Sequence, residues 1–399
     1  MEENSVDVAE GQNVRDVANP LESEESFISR EYGSSNELDS FCWNLPKAVS
    51  ELELIAFDSQ KCVSSRSLQE LHAHRNGLIS VGDMQDLAQR KVKTHPHLIN
   101  EPLPTIRPDF VIEDFFPFFH FIYQLTDDVE SVRYVARRVF AEFARDGVRY
   151  LEIRSTPRDN ATSGMSKEDY MRAVVHVIKE VTNLHPPITI RFIPSTDSHS
   201  QPADALATVS LALRLLSEPT IGSYLVGLDV CGDPTRGSAD NFRSSLETLR
   251  AANPPMKTTV HIGEVPTQGD EGWDVVTTIG PNRIGHGTYL QKRTKDSLVE
   301  QKIPSELDMH DVQRDMQGTF PIGHWFAINH PVVLCSDDPG IFSCPLSYEY
   351  AQAARAFRLG KRELFELSRR GFECAFVDER VKEGLREYWN QWAKGQGLI

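Results

Sequence analysis

The sequence predicts an α/β fold, a (β/α)8 TIM-type barrel behind a disordered acidic N-terminal tail. Three observations lead there. Short β-branched runs alternate with helical patterns along most of the chain, as parallel strands with helical crossovers require. The runs number eight. Polar clusters rich in His, Asp and Glu stand just after several of them, where a barrel gathers its reactive groups over one mouth. A chain of 399 residues, 40% hydrophobic and 25% charged, has the apolar content for such a core.

The tail comes first. Residues 1–40 hold 11 acids against Arg15 and Arg30, a charge of −9 out of the −16 of the whole chain. Few apolar side chains accompany them, so residues 1–40 are expected to stay solvated and disordered. The acidic balance disfavours a nucleic-acid surface, which needs clustered Lys and Arg. Neither a basic signal start nor a run of 18 apolar residues is present, so no membrane is expected and a cytoplasmic location is. Six scattered cysteines without a C-x-x-C pair fit a reducing compartment and no disulfide scaffold. A monomer is expected.

The eight runs follow in order. The first ends around His72, and the next seven are Val148–Arg154, Ile188–Pro194, Leu225–Val230, Thr258–Ile262, Arg283–Gly285, Ile303–Leu307 and Val332–Leu334. Between and after them, Asp128–Asp146, Lys167–Leu184, Asp204–Leu216 and Ser347–Arg358 space their apolar residues three and four apart, as amphipathic helices do.

The chemistry sits at the run ends. In His72-Ala73-His74 the two imidazoles share one face of a strand and can point at one metal ion. Alone, H-x-H is a weak signal. Its company strengthens it: His261 and Glu264 follow one run, His286 another, Asp337 and Asp338 a third. Three imidazoles and a carboxylate suit a single Zn²⁺, bound by His72, His74, His261 and Asp337, with a further position open for water. Zinc acidifies bound water toward neutrality, so attack on an electron-poor carbon is expected. Glu264, not needed as a ligand, is placed to transfer a proton, and Asp338 to touch the substrate.

In this order, these strings resemble the adenosine/AMP deaminase family. The matching segments are Glu70-Leu-His-Ala-His74 with Asn76-Gly77, Gly227-Leu-Asp-Val-Cys-Gly-Asp233, His261-Ile-Gly-Glu264, Arg283-Ile-Gly-His-Gly287 and Ser336-Asp-Asp338. The resemblance covers nearly all of residues 41–399 and implies a zinc-dependent deaminase barrel of the metal-dependent hydrolase kind. It implies Glu264 as proton donor to a purine ring, His286 steering the attacking hydroxide, Asp338 contacting the ring and Gly232 offering backbone to it. Within the family the chain is most similar to the branch acting on N6-methylated nucleoside monophosphates. Leu151-Glu-Ile-Arg-Ser-Thr-Pro-Arg158 and Gly164-Met-Ser-Lys167 carry that likeness. By it, His74, Asn76, Ser155, Thr156, Arg158 and Asp197 are expected to line a nucleotide site. Asn76 stands where adenosine deaminases have an acid, which a phosphate would repel. Hydroxyls and a guanidinium suit a phosphate.

Four departures accompany the match. Ala48–Gln69 occupies 22 positions where the family pattern has about one. It is an atypical insertion, either a surface excursion or a stretch from a mis-drawn gene. Arg75 replaces an apolar residue beside the metal strand. Tyr123 stands where the branch usually has His. Asp308-Met-His-Asp-Val replaces a Cys-x-Thr-Ser-Asn string. The expected reaction is hydrolytic deamination of a 6-aminopurine nucleotide, N6-methyl-AMP to IMP and methylamine. The alternatives are a deaminase of adenosine or adenine, or a catalytically impaired barrel serving as a binding or scaffold protein.

Overall fold

A computed structural model of the chain describes residues 67–99, 116–182, 188–268, 271–308, 325, 328–342, 344–357 and 359–399. Eight parallel strands line up in sequence order: β1 (Leu68–His74), β2 (Val148–Ser155), β3 (Thr189–Asp197), β4 (Gly227–Cys231), β5 (Lys257–Ile262), β6 (Arg283–His286), β7 (Ser305–Leu307) and β8 (Val332–Leu334). Each pairs in parallel with the next. The ring closes just past β8. Asp337 N donates to His72 O at 3.0 Å and His74 N to Asp337 O at 3.1 Å. The last strand-end residue is thereby clamped against the first strand.

Helices cover the outside because their apolar stripes match the β-branched outer faces of the strands. Helix Val129–Arg145 turns Val132, Val135, Ala136, Val139, Phe140 and Phe143 inward. Asp128 caps it by accepting from Ser131 N at 2.8 Å. Helix Lys167–Val181 opens on a reciprocal capping box between Ser166 and Asp169. The C-terminal helices Lys361–Glu373 and Glu379–Gly395 close over the β8–β1–β2 seam, packing Phe365, Phe372 and Trp389 on Leu71, Tyr150 and Val333. Among the described residues no helix is long and apolar enough to cross a membrane.

The barrel interior is ionic rather than apolar. Arg154, Arg283, Glu152, Glu306 and Asp229 are all shielded from solvent inside it. Glu152 faces Arg283 at 2.7 Å, Arg283 faces Glu306 at 2.6 Å, Glu306 holds Arg154, and Arg154 reaches Asp229 at 3.3 Å. Burial alone would push both acids up, but the guanidiniums hold Glu306 well below its usual range. Asp229 is held down likewise, by His261 and Arg154. Below this chain Phe376 stacks on Arg283, its ring centre 3.6 Å from the guanidinium carbon.

At the start of the barrel the strand limits differ from the sequence reading. Leu68 and Gln69, placed in the 48–69 insertion, belong to β1 and are buried, Gln69 bonding Tyr350 and Ser368. The first strand runs to His74, so both imidazoles of His72-Ala73-His74 lie on it. The acidic tail and residues 48–66 lie outside the described residues.

Candidate metal centre and substrate pocket

The strand parity of β1 turns Glu70, His72 and His74 inward, and β5 delivers His261 opposite them. His72 Nε2 lies 3.2 Å from His74 Nε2, which lies 3.0 Å from His261 Nε2. Asp337 Oδ1 stands 3.3 Å from His72 Nε2 and 3.6 Å from His74 Nε2. Asp337 holds a left-handed backbone, φ 55°, as does His286 at φ 61°. Strain of this kind in non-glycine residues concentrates at functional sites.

The protonation of these rings can be reasoned from their far sides. His261 Nδ1 is 2.8 Å from the Val230 carbonyl and 3.2 Å from Asp229, so its proton sits there. His72 Nδ1 faces Glu306 at 3.1 Å, so its proton sits there too. In its neutral form each ring then turns an Nε2 lone pair to the same small space, where His74 can donate to only one of them. Asp337 Oδ1, buried, makes no well-formed hydrogen bond and has only the His72 and His74 ring nitrogens beside it. Lone pairs crowded at this spacing repel unless a cation lies between them. Donors on a tetrahedral ion with ~2.05 Å bonds stand about 3.3 Å apart, which matches the spacing found. The residues present fit a metal ion. Burial drives the His74 pKa down to about 3, keeping that ring neutral.

Around this core stand the other expected residues. His286, at the end of β6, turns Nε2 toward Glu264 at 3.8 Å and Nδ1 toward Asp308 at 4.0 Å. Asp338 is buried beside Asp337, and burial together with its neighbour's charge pushes its carboxyl well above the usual range. Its Oδ1 has no hydrogen-bond partner. Gly77 lies against it so closely that a Cβ there would fall 1.6 Å from Asp338 Oδ1.

The nucleotide-side residues divide into two groups. Asn76, Ser155 and Arg158 gather around Tyr170 and Arg75, with Arg158 bonding Thr126 and lying 4.2 Å over the Tyr123 ring. Thr156, Asp197 and Gly232 gather instead near Cys231, whose Sγ is 3.7 Å from Thr156 Oγ1. Gly232 has φ 112°, and a Cβ on it would meet Asp197 Oδ1 at 2.3 Å, so no other residue fits there.

Sequence reasoning missed the layer beneath the ligands. Glu306 and Asp229 orient His72 and His261, and Arg154 ties the two carboxylates together. Ligand-orienting carboxylates of this kind fix the tautomer of metal-binding histidines. The available signal was an acid at the inward parity of an otherwise apolar strand, in Leu228-Asp229-Val230 and Ser305-Glu306-Leu307.

A parallel eight-stranded barrel with imidazoles and carboxylates gathered at one mouth is the frame of a metal-dependent hydrolase. Comparison with known proteins narrows the class. The family profile described as "Adenosine deaminase" matches residues 68–392. N6-methyl-AMP deaminase of Danio rerio is 37% identical over 335 residues, covering 80% of this chain and 93% of that protein. The crystal structure of Arabidopsis N6-mAMP deaminase superposes with a TM-score of 0.73 at 29% identity, covering 83% of this chain and 100% of that one. The Arabidopsis ADAL structure complexed with GMP gives 0.74 at 29% identity, covering 83% and 98%. The chain belongs to the adenosine deaminase family.

Proposed function

We propose that the chain hydrolyses N6-methyl-AMP to IMP and methylamine, with one zinc ion held by His72, His74, His261 and Asp337. The observation that carries this is the set of imidazole Nε2 atoms crowded beside the buried Asp337 oxygen, at the same mouth as Glu264, Asp338 and the Ser155–Arg158 cluster. It agrees with the names of the relatives, which act on that nucleotide or were crystallised with GMP. Bound there, zinc supplies a water acidified enough to attack ring carbon 6 near neutral pH.

The chain's own residues do the rest. Glu264 delivers a proton to the purine ring as the water oxygen adds, so that the ring nitrogen does not carry the negative charge alone. His286, between Glu264 and Asp308, orients that water. Asp338, whose carboxyl is pushed above its usual range by burial and by the neighbouring carboxylates, contacts a ring nitrogen, and the Gly232 backbone adds a second contact. Asn76, Ser155 and Arg158 receive the 5′-phosphate with donors and no carboxylate, while Thr156 and Asp197 border the nucleotide on the Cys231 side. Cys231, Cys335, Cys344 and Cys374 are free thiols, consistent with work in the reducing cytoplasm.

The experiment is a substrate panel of N6-methyl-AMP, AMP, adenosine and adenine, read by ultraviolet absorbance and amine release. The nucleotides should lead by at least about tenfold in kcat/KM, since a phosphate meets charged hydrogen-bond donors a nucleoside forfeits. A lead for adenosine would overturn the proposal.

A further inference from the structure

Among the described residues three arginines are fully buried: Arg75, Arg154 and Arg283. Arg154 and Arg283 each sit on carboxylates. Arg75 does not. Its Nε donates to Ser155 Oγ at 3.3 Å and to Tyr170 OH at 3.1 Å, its Nη2 to Asn76 Oδ1 at 2.7 Å and again to Tyr170 OH, and its Nη1 to the Val132 carbonyl at 3.4 Å. Among the described residues no acid pairs with it. A buried cation surrounded only by neutral groups is costly unless an anion joins it at some point in the working cycle.

A second cation stands nearby and, among the described residues, is also without an acid. Arg158 spends Nη2 on Thr126, while its buried Nη1 has no hydrogen-bond partner. Both guanidiniums face the Tyr170 ring, at 4.9 and 5.4 Å from its centre. The two charges draw the Tyr170 phenol below its usual range although burial works the other way. The site is thus prepared for negative charge before any ligand enters.

Arg75 also sets the polarity of its neighbours. Because Asn76 Oδ1 accepts from the guanidinium, the amide must present its NH₂ in the other direction as a donor. Ser155 Oγ already accepts from Arg75 Nε and shares a hydrogen with Tyr170.

We propose that Arg75 is the buried counter-charge of the substrate's 5′-phosphate and acts as a positioning residue that aims Asn76 and Ser155 at it. This rests on the nucleotide specificity proposed above. It assigns to a fully buried residue the discrimination of nucleotide from nucleoside.

The test compares the parent with Arg75→Leu, Arg75→Lys and Tyr170→Phe. Two quantities are read: the ratio of kcat/KM on N6-methyl-AMP to that on N6-methyladenosine, and calorimetric binding of IMP to the metal-free protein. The expected result for Arg75→Leu is a ratio lowered at least about tenfold, mainly through KM, with IMP binding weakened in proportion. Arg75→Lys keeps the charge and loses the fork, so it falls between the two. A parent with no nucleotide preference overturns the underlying function. A parent that prefers nucleotides, with Arg75→Leu keeping that preference, overturns the role of Arg75 alone. Should Arg75→Leu fail to fold, an unchanged ratio in both Arg75→Lys and Tyr170→Phe overturns it equally.

Discussion

Replacing Glu306 by Gln removes one charge from the middle of the ionic chain inside the barrel and preserves its shape. In the parent, Glu306 Oε2 meets Arg154, Thr259 Oγ1 at 3.2 Å and His72 Nδ1 at 3.1 Å, while Oε1 faces Arg283 at 2.6 Å. Every neighbour is a donor. A glutamine must turn its NH₂ toward one side or the other, so at least one donor meets a donor in a dry interior. Stripping a buried charge of its partner costs about 3–5 kcal/mol. Here Arg154 keeps Asp229 and Arg283 keeps Glu152, so the low end applies, about 3 kcal/mol. Misorienting His72 should weaken metal binding about 10- to 100-fold. The assays are urea unfolding of the metal-free protein and chelator competition for zinc. A pH series adds a sign. Glu306 is held below its usual value of 4.5 in the folded protein, so its stabilisation is full above that value and is lost as pH falls further. The variant should therefore lose less stability on acidification than the parent. Stability within about 0.5 kcal/mol of the parent, together with unchanged zinc affinity, would refute the idea that the ionic chain supports the ligands.

The other expectations concern the mouth of the barrel. His261→Ala should release most of the metal, and full zinc retention in that variant would contradict the ligand set. Removing zinc from the parent should lower its melting temperature, and adding it back should restore it, as linkage between binding and folding demands. Glu264→Gln should keep metal and fold while losing at least about 10²-fold in rate, and turnover within a few-fold of the parent would remove Glu264 from proton transfer. Gly77→Ala places a Cβ 1.6 Å from Asp338 Oδ1 and should displace that carboxyl. Activity should then drop about tenfold, the scale of one lost hydrogen bond, at unchanged zinc content. Unaltered kinetics would mean Asp338 does not touch substrate.

How much of this was legible in the sequence follows from what each residue type announces. Histidines at strand ends announce themselves, because few packing roles place imidazoles there in company with acids. The eight β-branched runs did likewise, each overlapping a strand of the barrel. Strand limits were less visible. Pro194 reads as a terminator, yet β3 continues to Asp197, because Ser195, Thr196 and Asp197 pair with β4. Leu225 and Val226 read as strand, but they meet β3 only through an isolated bridge to Phe192 before β4 begins at Gly227. Gln69 is polar and fully buried, satisfied by Tyr350 and Ser368, so hydrophobic alternation could not mark where β1 starts. The ionic core was hidden for the same reason. A charged residue inside an apolar run carries no local sign that three other strands will bring its counter-charges. Arg75 is the sharpest case, since its burial depends on Tyr170, 95 residues away.

The most direct test of the central claim is a competition in one tube. Equal concentrations of N6-methyl-AMP and adenosine are given to protein carrying one zinc per chain, and nuclear magnetic resonance follows both products. IMP and methylamine appearing in equal amounts, with inosine trailing at least about tenfold behind, is the predicted result. Inosine accumulating first, or neither product forming while zinc remains bound, would contradict the claim that this barrel is a nucleotide deaminase.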